Sequence, residues 1–538
     1  MSNRNVPADG IAGLRQNLQS DIVAGFLVFL IALPLCLGIS MASGFPPVAG
    51  IFTAIIGGLV VSLFMGARVT IKGPAAGLIV IALGCIEELS MGRDPMLGYQ
   101  LALAVVTISG VCQIAFGLLR AGVLSDFFPT AAVHGMLAAI GVIIASKQMH
   151  VMVGVDPAAK TPLGQIGELP HSFAHFNPEI AVIGLLSLLI LVVMPKIRHP
   201  LVRKIPAALV VLLVAIPLGL YFDLDHAHTY VFGGTEYKIG PDLLVKKLDN
   251  LASMITFPDF SMIGTWVSIK WIIAFALVGT IESVASAKAV DTLDPFKRKS
   301  DFNRDLLAVG IGNTAAGLVG GLPMISEIVR SSANINNGAK TRWANFFHGM
   351  FLLGFVVLAP GLIHMIPKAA LAAMLVFTGF RLAHPREFIH TWHIGKEQFL
   401  IFMVTIAVTV GEDLLLGIFA GILTKLIINI VRGVPFGAMF KPDFEAREGG
   451  PNTTLLAVRQ AAVFSNYIGL KQAIEKIPAA QNVVVDFSAT RLVDHTTMER
   501  LSDLQRDFEN EGRTLTLVGL EHHAPTSHHP LAARRRAA

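Results

Sequence analysis

Long apolar runs fill the chain from residue 21 to residue 432 and are separated by short polar connections. A helix needs roughly 20 apolar residues to cross a bilayer, and most of these runs approach that length. The pattern therefore predicts a polytopic α-helical membrane protein. The runs lie at 21–41, 47–66, 73–89, 98–119, 128–146, 179–196, 205–222, 266–290, 305–321, 323–335, 344–365, 367–383, 398–411 and 413–432.

Two of the shorter runs begin at a break made of glycine and proline. Gly73-Pro74 opens the run at 73–89, and Pro323, at the end of a Gly-Gly-Leu-Pro stretch, opens the run at 323–335. These are the third members of the first seven and of the last seven runs. Matching breaks in two halves are typical of inverted repeats, whose half-helices stop near the membrane midplane. We therefore predict 14 transmembrane segments in a 7+7 inverted repeat.

The composition agrees with a membrane protein. Hydrophobic residues make up 53% of the chain and charged residues only 15%, whereas soluble domains carry about 25% charged residues. Basic residues recur at alternate connections, for example after 179–196 and after 266–290. By the positive-inside rule this places both termini in the cytosol. The net charge of +5 gives no reason to expect a nucleic-acid partner.

The character of the chain changes after Gly433, where strand and helix patterns alternate. Such alternation indicates an α/β unit with a partly parallel sheet. We predict strands at 455–458, 462–464, 483–487 and 514–518, and helices at 467–476 and 496–509. The predicted domains are a cytosolic N-terminal tail at 1–19, a membrane domain at 20–434, a small α/β domain at 440–522 and a disordered tail at 523–538.

Glu327 and Arg330 lie in the second broken run. An ionisable residue at membrane depth is costly and indicates a functional site. Two helix N-termini that face one cavity attract an anion through their free N–H groups and dipoles. Arg330 would add a guanidinium suited to an oxyanion; the alternative is a buried salt bridge to Glu327. Glu327 is either a proton carrier or a structural carboxylate.

Four sets of stretches in the chain form a recognisable pattern. They are Asp21 to Gly25 with Ala32 to Leu35, Gly73-Pro74, Arg330 to Ile335 with Gly338 to Thr341, and Asp486 with Asp494 to Thr497. Together they resemble the SulP family of anion transporters, followed by a STAS domain, and the similarity covers nearly the whole chain. The resemblance implies a core domain and a gate domain that move against each other, an anion held between the third and tenth segments, and a homodimer.

The resemblance also implies which residues contact the anion. Backbone N–H groups at the two half-helix starts would bind it, the first span would line the cavity, and Arg330 would supply positive charge. Glu327 departs from the family, which commonly has a small residue or Ser at that place. The implied contact positions are Ala75, Ala76, Met324, Ile325, Ser326 and, from the first span, Leu35.

Glu282 and Ser286 lie one turn apart in the run at 266–290. In sodium-coupled bicarbonate transporters of the SulP family, an acidic residue and a hydroxyl at these places bind Na⁺. The resemblance therefore implies coupling to Na⁺ or H⁺ through Glu282, and a carboxylate with hydroxyl oxygens suits a hard cation. The alternative is that Glu282 pairs with Lys288 or accepts backbone hydrogen bonds. Apart from Na⁺ we expect no cofactor.

Thr496 matches the serine that is phosphorylated in STAS domains of the signalling kind, which makes it a candidate regulatory residue. A hydroxyl at a helix start is also an ordinary N-cap. Both readings stay open from the sequence.

The sequence thus predicts secondary active transport of an inorganic anion across the inner membrane. Bicarbonate is slightly preferred, because the Asn334-Ile335 and Gly338–Thr341 stretches and the Glu282–Ser286 pair look more like the bicarbonate members. A proton-coupled sulfate or dicarboxylate transporter is the alternative. A membrane protein that senses an anion and signals through the STAS domain is an alternative of a different class. We expect no enzyme, since no nucleophile–base pair, zinc spacing or phosphate loop is found.

Overall fold

The computed structural model describes residues 6–536 apart from 93, 200, 201, 203, 204 and 248–253, and apart from the side chains of 124 and 125. Contacts divide the chain into two compact units. The first unit comprises 1–122 and 140–382, and the second comprises 123–139 and 383–538. The second unit therefore contains the last two predicted membrane segments together with the C-terminal α/β domain.

Within the described residues, the first half of the membrane domain has seven segments, as predicted. The second segment continues from α2 through a π-helical turn at Gly57–Val61 into α3. The segments are α1 (Gly10–Ala42), α2 (Pro47–Ile56) with α3 (Ser62–Phe64), β1 (Ile71–Pro74) with α4 (Ile79–Ser90), α5 (Pro95–Leu118), α6 (Thr130–Met152), α8 (Pro178–Val193) and α9 (Ala207–Tyr221). A further helix, α7 (Pro162–Ala174), lies between α6 and α8.

The second half repeats this order, and its third segment is again a strand followed by a short helix. Its segments are α10 (Trp266–Leu293), α11 (Phe302–Val319), β4 (Met324–Glu327) with α12 (Ile328–Asn336), α13 (Trp343–Leu358), α15 (Lys368–Leu382), α17 (Lys396–Gly411) and α18 (Leu414–Val431). The connecting elements are a hairpin of β2 (His228–Phe232) and β3 (Thr235–Ile239), and the helices α14 (Pro360–His364), α16 (Pro385–Ile394) and α19 (Phe436–Phe440). By length and composition alone, seven of the described helices are long and apolar enough to cross a membrane.

The helix starts follow the local sequence. Asp94 caps α5 through the N–H of Met96, and Pro95 follows at the first helical position, where its missing N–H costs nothing. Asp9 caps α1, so the helix begins at Gly10 rather than after the tail predicted at 1–19. The reason is that this polar stretch, with its own N-cap, continues the first span through a distortion at Asn17.

The C-terminal domain is the predicted α/β unit with a mixed sheet. β6 pairs in parallel with β7, and β7 with β8, while β5 lies antiparallel to β6. The two strands predicted at 455–458 and 462–464 form the single strand β6, since the alternation of buried residues continues between them. The elements are β5 (Asp443–Gly450), β6 (Thr453–Ala462), α20 (Tyr467–Glu475), β7 (Asn482–Val493), α21 (His495–Asn510) and β8 (Leu515–Val518).

Residues 523–536, for which we expected disorder, extend this sheet. β9 (His523–Pro525) and β10 (Arg534–Arg536) pair with each other, and β10 pairs with the end of β7. Ala532 and Ala533 are buried between them. A composition rich in His and Arg therefore does not prevent order here, because the open edge of β7 supplies hydrogen-bond partners.

Candidate functional site

The two predicted breaks meet as a pair of short antiparallel strands. β1 and β4 pair so that Gly73 lies opposite Ile325 and Pro74 opposite Met324. The first helical turn at Ala76–Leu78 and the start of α12 lie at the two ends of this ladder. Two equivalent strand–helix units of opposite direction are what an inverted repeat produces. The structure therefore brings the two predicted halves of the site together.

The residues expected to open the second half-helix lie instead in the strand β4. The N–H of Met324 donates to Asn313 Oδ1 at 2.6 Å, and the N–H of Ser326 donates to Ser283 Oγ at 3.1 Å. α12 begins only at Ile328, and no side chain caps its start. The Gly-Gly-Leu-Pro break was placed correctly, but pairing with β1 extends the chain for four residues beyond it.

Arg330 has the largest fully buried side chain among the described residues, with 1% of its surface exposed. Its guanidinium donates from Nη2 to the Pro74 carbonyl at 3.3 Å, and Nη1 lies 3.6 Å from Cys36 Sγ. Its Nε has no hydrogen-bond partner although it is shielded from solvent. The guanidinium therefore joins α12, the end of β1 and the first span at one point, and its Nε–H is left without a partner.

Glu282 packs against the first turn after β1. A Cβ atom added at Gly77 would lie 1.7 Å from Glu282 Oε1, so the carboxylate fits only because that position is glycine. Glu282 is 8% exposed, and its Oε2 has no hydrogen-bond partner. The α10 hydroxyl that reaches β4 is that of Ser283, whereas Ser286 is half-buried.

Glu327 and Leu35, two further predicted site residues, have different surroundings, one polar and one apolar. Glu327 ends β4 and faces the backbone of Ala76, so a carboxylate lies at one of the expected anion-binding turns. Its Oε1 is shielded and has no hydrogen-bond partner. Leu35 is half-buried and packs on an apolar cluster with Phe29 and Leu37, while its neighbour Cys36 contacts Arg330.

A buried ion pair beside the site was missed by the sequence reasoning. Lys72 Nζ lies 2.8 Å and 2.6 Å from the two carboxylate oxygens of Asp305 and 2.5 Å from Ser326 Oγ. Lys72 is fully buried and Asp305 is 2% exposed. Both lie in or next to apolar runs, so the rule that singled out Glu327 and Arg330 applies equally to them.

Two asparagine side chains form hydrogen bonds with the backbone of β1 and β4. Asn313 accepts from the N–H of Met324 and donates to its carbonyl at 3.1 Å, which holds β4. Asn345 accepts from the N–H of Lys72 at 3.3 Å and donates to Gly57, which holds β1 against the π-helical turn. Each strand therefore has a buried amide that satisfies its backbone where no sheet neighbour is available.

Two of the quoted sequence stretches also meet in space. Asp21, fully buried in α1, accepts from the N–H groups of Lys340 and Thr341 at 2.8 Å and 3.2 Å and from the Thr341 hydroxyl at 2.5 Å. The carboxylate therefore ties the first span to the loop after α12. This explains in physical terms why an acidic residue and a Gly-Ala-Lys-Thr loop occur in the same chain.

Thr496 is fully buried at the start of α21, where its hydroxyl accepts from the N–H of Thr130 at 3.3 Å. The N-cap of this helix is Asp494, which accepts from the N–H of Thr497 at 2.8 Å. The alternative role of Thr496 as the N-cap is therefore wrong, since the cap lies two residues earlier.

The geometry describes a membrane protein in which two broken segments meet around a buried arginine, and comparison with known proteins identifies its family. The profile of the Sulfate permease family matches residues 18–405, more than half of the chain. The chain belongs to this family.

Relatives with different named substrates resemble the chain. The bicarbonate transporter BicA of Synechocystis is 28% identical over 78% of this chain and 70% of its own length. The sodium-independent sulfate anion transporter of Bos taurus is 24% identical over 94% of this chain and 84% of its own length. The solved structure of SLC26A9 superposes with a TM-score of 0.68 over 94% of this chain and 85% of that chain, at 14% identity, which shows the shared fold.

The family and the fold together establish a multi-pass membrane protein of an anion-transporting family. Its C-terminal α/β domain has strands that fit a STAS domain. The named relatives are transporters rather than enzymes.

Proposed function

We propose that this chain is a secondary active transporter of a small inorganic oxyanion in the cytoplasmic membrane, with bicarbonate as the first candidate substrate and sulfate as the second. The observation that carries the proposal is the buried Arg330 guanidinium, which lies where the two broken segments meet and keeps one N–H without a partner. A guanidinium with a free donor beside helix N-termini is a natural oxyanion ligand.

The charges near Arg330 favour a monoanion. Glu282 and Glu327 both lie buried or half-buried close to the first turn after β1. One guanidinium opposes these two carboxylates, so a dianion such as sulfate would need more compensating protons or cations than bicarbonate. The named substrates of the relatives, bicarbonate and sulfate, support both candidates. A dicarboxylate remains a third alternative.

The proposed anion ligands are Arg330 and the backbone at Ala75; the N–H of Ala76 already donates to Glu327, so we assign Ala76 to shaping the site. The N–H groups of Met324 and Ser326 already donate within the protein, so we assign β4, including Ile325, to shaping the site rather than to direct contact. In the first span, contact between Cys36 and Arg330 supports a lining role for the turn that contains Leu35.

Coupling to a cation is assigned to Glu282. Its carboxylate is buried against Gly77 and leaves Oε2 without a partner, so a proton or a Na⁺ ion would relieve an unpaired buried charge. Ser286, one turn along α10, is the proposed hydroxyl ligand if the ion is Na⁺, and Glu327 is a second candidate proton carrier. Cytosolic termini, a homodimer and movement of a core against a gate domain are further parts of this proposal.

The test is uptake of labelled bicarbonate and sulfate into proteoliposomes, under an inward Na⁺ gradient, an inward proton gradient and neither. We compare wild type with Arg330→Gln and Glu282→Gln, and we use Arg381→Gln, at an exposed arginine, as the control. We expect Arg330→Gln to lose uptake by at least about tenfold, as expected for loss of one charge-assisted ligand. Glu282→Gln should remove the response to the driving gradient.

Each outcome decides between the candidates. If only sulfate is taken up, sulfate replaces bicarbonate as the proposed substrate. If the protein binds both anions but takes up neither, the result favours the alternative of an anion-sensing protein. Uptake unchanged in Arg330→Gln would contradict the proposed anion site.

A further inference from the structure

Lys72 lies in β1, directly opposite Ser326 of β4. Its ammonium donates to both carboxylate oxygens of Asp305 at 2.8 Å and 2.6 Å and to Ser326 Oγ at 2.5 Å. An ammonium has three protons, and these three oxygens occupy them all. Lys72 is fully buried, so the ammonium is shielded from bulk solvent. The ammonium is therefore surrounded by oxygen atoms, as a bound metal cation would be.

The Ser326 hydroxyl connects this ion pair to α10, the helix that carries the proposed coupling residue Glu282. Ser326 Oγ donates to Asp305 Oδ2 at 3.1 Å and lies 3.2 Å from Ser283 Oγ, and Ser283 is the residue after Glu282 in α10. Asp305 also accepts from the N–H of Ala67 at 3.0 Å. The ammonium thus lies where α10, α11 and both strands of the broken segments meet.

These ligands are of the kind that a hard cation takes. Na⁺ and Ca²⁺ are bound in proteins by carboxylate, hydroxyl and backbone oxygens rather than by nitrogen or sulfur. The Asp305 carboxylate and the Ser326 hydroxyl are such ligands, and the Ser283 hydroxyl contacts Ser326. Lys72 supplies the carboxylate and the Ser326 hydroxyl with a covalently attached positive charge.

We propose that Lys72 is a tethered cation that takes the place of a bound Na⁺, so that anion transport by this chain does not require Na⁺. This inference rests on the proposed function. It supplies the counter-charge of Asp305 from a side chain instead of a bound Na⁺, and of the two coupling ions proposed for Glu282 it selects the proton. The cation is needed here because Asp305 is buried and would otherwise remain uncompensated between the two strands.

A purely structural ion pair would stabilise the fold without affecting ion dependence, so the experiment measures ion dependence. Anion uptake into proteoliposomes is measured in Na⁺, K⁺ and choline media for wild type, Lys72→Ala and the control Lys160→Ala, whose side chain is exposed. We expect wild type and the control to be indifferent to the medium. Lys72→Ala should lose uptake at least about tenfold in choline, because one partner of a buried pair is gone, and should recover part of it in Na⁺.

A second readout is the melting temperature of the purified protein as Na⁺ replaces choline. A vacated site that binds Na⁺ raises the melting temperature of Lys72→Ala with Na⁺ concentration, since a ligand that binds only the native state stabilises it. Wild type should not respond. The double variant Lys72→Met, Asp305→Asn should not respond either, because the ligand carboxylate is removed together with the ammonium.

The outcomes separate this inference from the proposed function. If no anion is taken up by wild type, the proposed function fails. If wild type takes up anion only with Na⁺, or if Lys72→Ala shows no Na⁺ response in uptake and melting, only the role of Lys72 is overturned. If Lys72→Ala cannot be purified as folded protein, Lys72→Ser is used for the same test. If neither variant can be purified even in the presence of Na⁺, the proposal is also overturned.

Discussion

Two glycines decide where the buried charges of the site can lie. A Cβ atom at Gly73 would lie 2.3 Å from Arg330 Nη1, and a Cβ atom at Gly77 would lie 1.7 Å from Glu282 Oε1. Neither glycine has a positive φ, so backbone conformation does not require them. They are needed for space, which allows a guanidinium and a carboxylate to approach the backbone between β1 and α4.

At the scale of the single residue, we expect Gly77→Ala to impair transport more than folding. The added methyl group displaces the Glu282 carboxylate, which is the flexible end of its side chain, so the fold can adjust. Anion uptake should fall at least about tenfold, the size of effect typical when an active group is misplaced by about 1 Å, while the melting temperature changes little. The control is Gly411→Ala, where an added Cβ meets no atom within 4 Å. Equal uptake by both variants would contradict the contact.

The segments pack through close backbone contacts as well as through side chains. Gly58 in the π-helical turn and Gly349 in α13 face each other, and a Cβ at Gly349 would lie 2.7 Å from Gly58 Cα. Asn345, one turn earlier in α13, donates to the Gly57 carbonyl in the same turn. The position of β1 therefore depends on α13, since Asn345 also accepts from the Lys72 N–H.

At the scale of the element, we expect Gly349→Ala to destabilise the protein and Gly354→Ala not to. Both glycines lie in α13. A Cβ atom added at Gly349 would meet backbone atoms, which cannot rotate away, whereas a Cβ atom added at Gly354 would meet no atom within 4 Å. Gly349→Ala should destabilise by about 1–3 kcal/mol through overpacking. Gly354→Ala should be neutral or stabilise by up to about 1 kcal/mol through helix propensity. Thermal unfolding in one detergent measures both, and a stabilised Gly349→Ala would contradict the predicted clash.

At the scale of the whole molecule, the second unit joins membrane segments to the α/β domain by a buried charge. Lys425 of α18 is fully buried, and its Nζ lies 3.6 Å from Asp494 Oδ2 and 3.7 Å from Glu397 Oε1. Asp494 also accepts from the N–H of Phe464 at 3.0 Å. Thr496, beside it, contacts Thr130. The start of α21 is therefore an attachment point, and phosphorylation of Thr496 would require this contact to open.

We expect Asp494→Asn to loosen this attachment. Asn still caps a helix well, but the neutral amide leaves Lys425 with Glu397 as its remaining counter-charge. Loss of one partner from a buried ion pair costs about 3 kcal/mol or more, so protease sensitivity between α18 and β5 should rise. Glu509→Gln, at an exposed carboxylate later in α21, is the control. The same protection in both variants would show that the ion pair does not hold the domain.

Much of this architecture was predictable from the sequence alone. Runs of about 20 apolar residues, paired glycine–proline breaks and the alternation after Gly433 determined the membrane class, the repeat and the small α/β domain, because each follows from local hydrophobic period and backbone restriction. Arg330 and Glu327 were singled out because charge within an apolar run is costly wherever it occurs, whereas Glu282 was assigned through the family resemblance.

Only the tertiary structure decided how these pieces are paired. The extension of Met324–Glu327 into a strand depends on β1, more than 250 residues earlier in the chain. Distant residues likewise decide which groups Lys72 contacts and that Ser283, rather than Ser286, contacts β4. They also decide that the C-terminal tail is ordered. Hydrogen bonds and ion pairs act only at contact distance, so a sequence can show that a buried charge needs a partner, whereas the fold determines which partner it has.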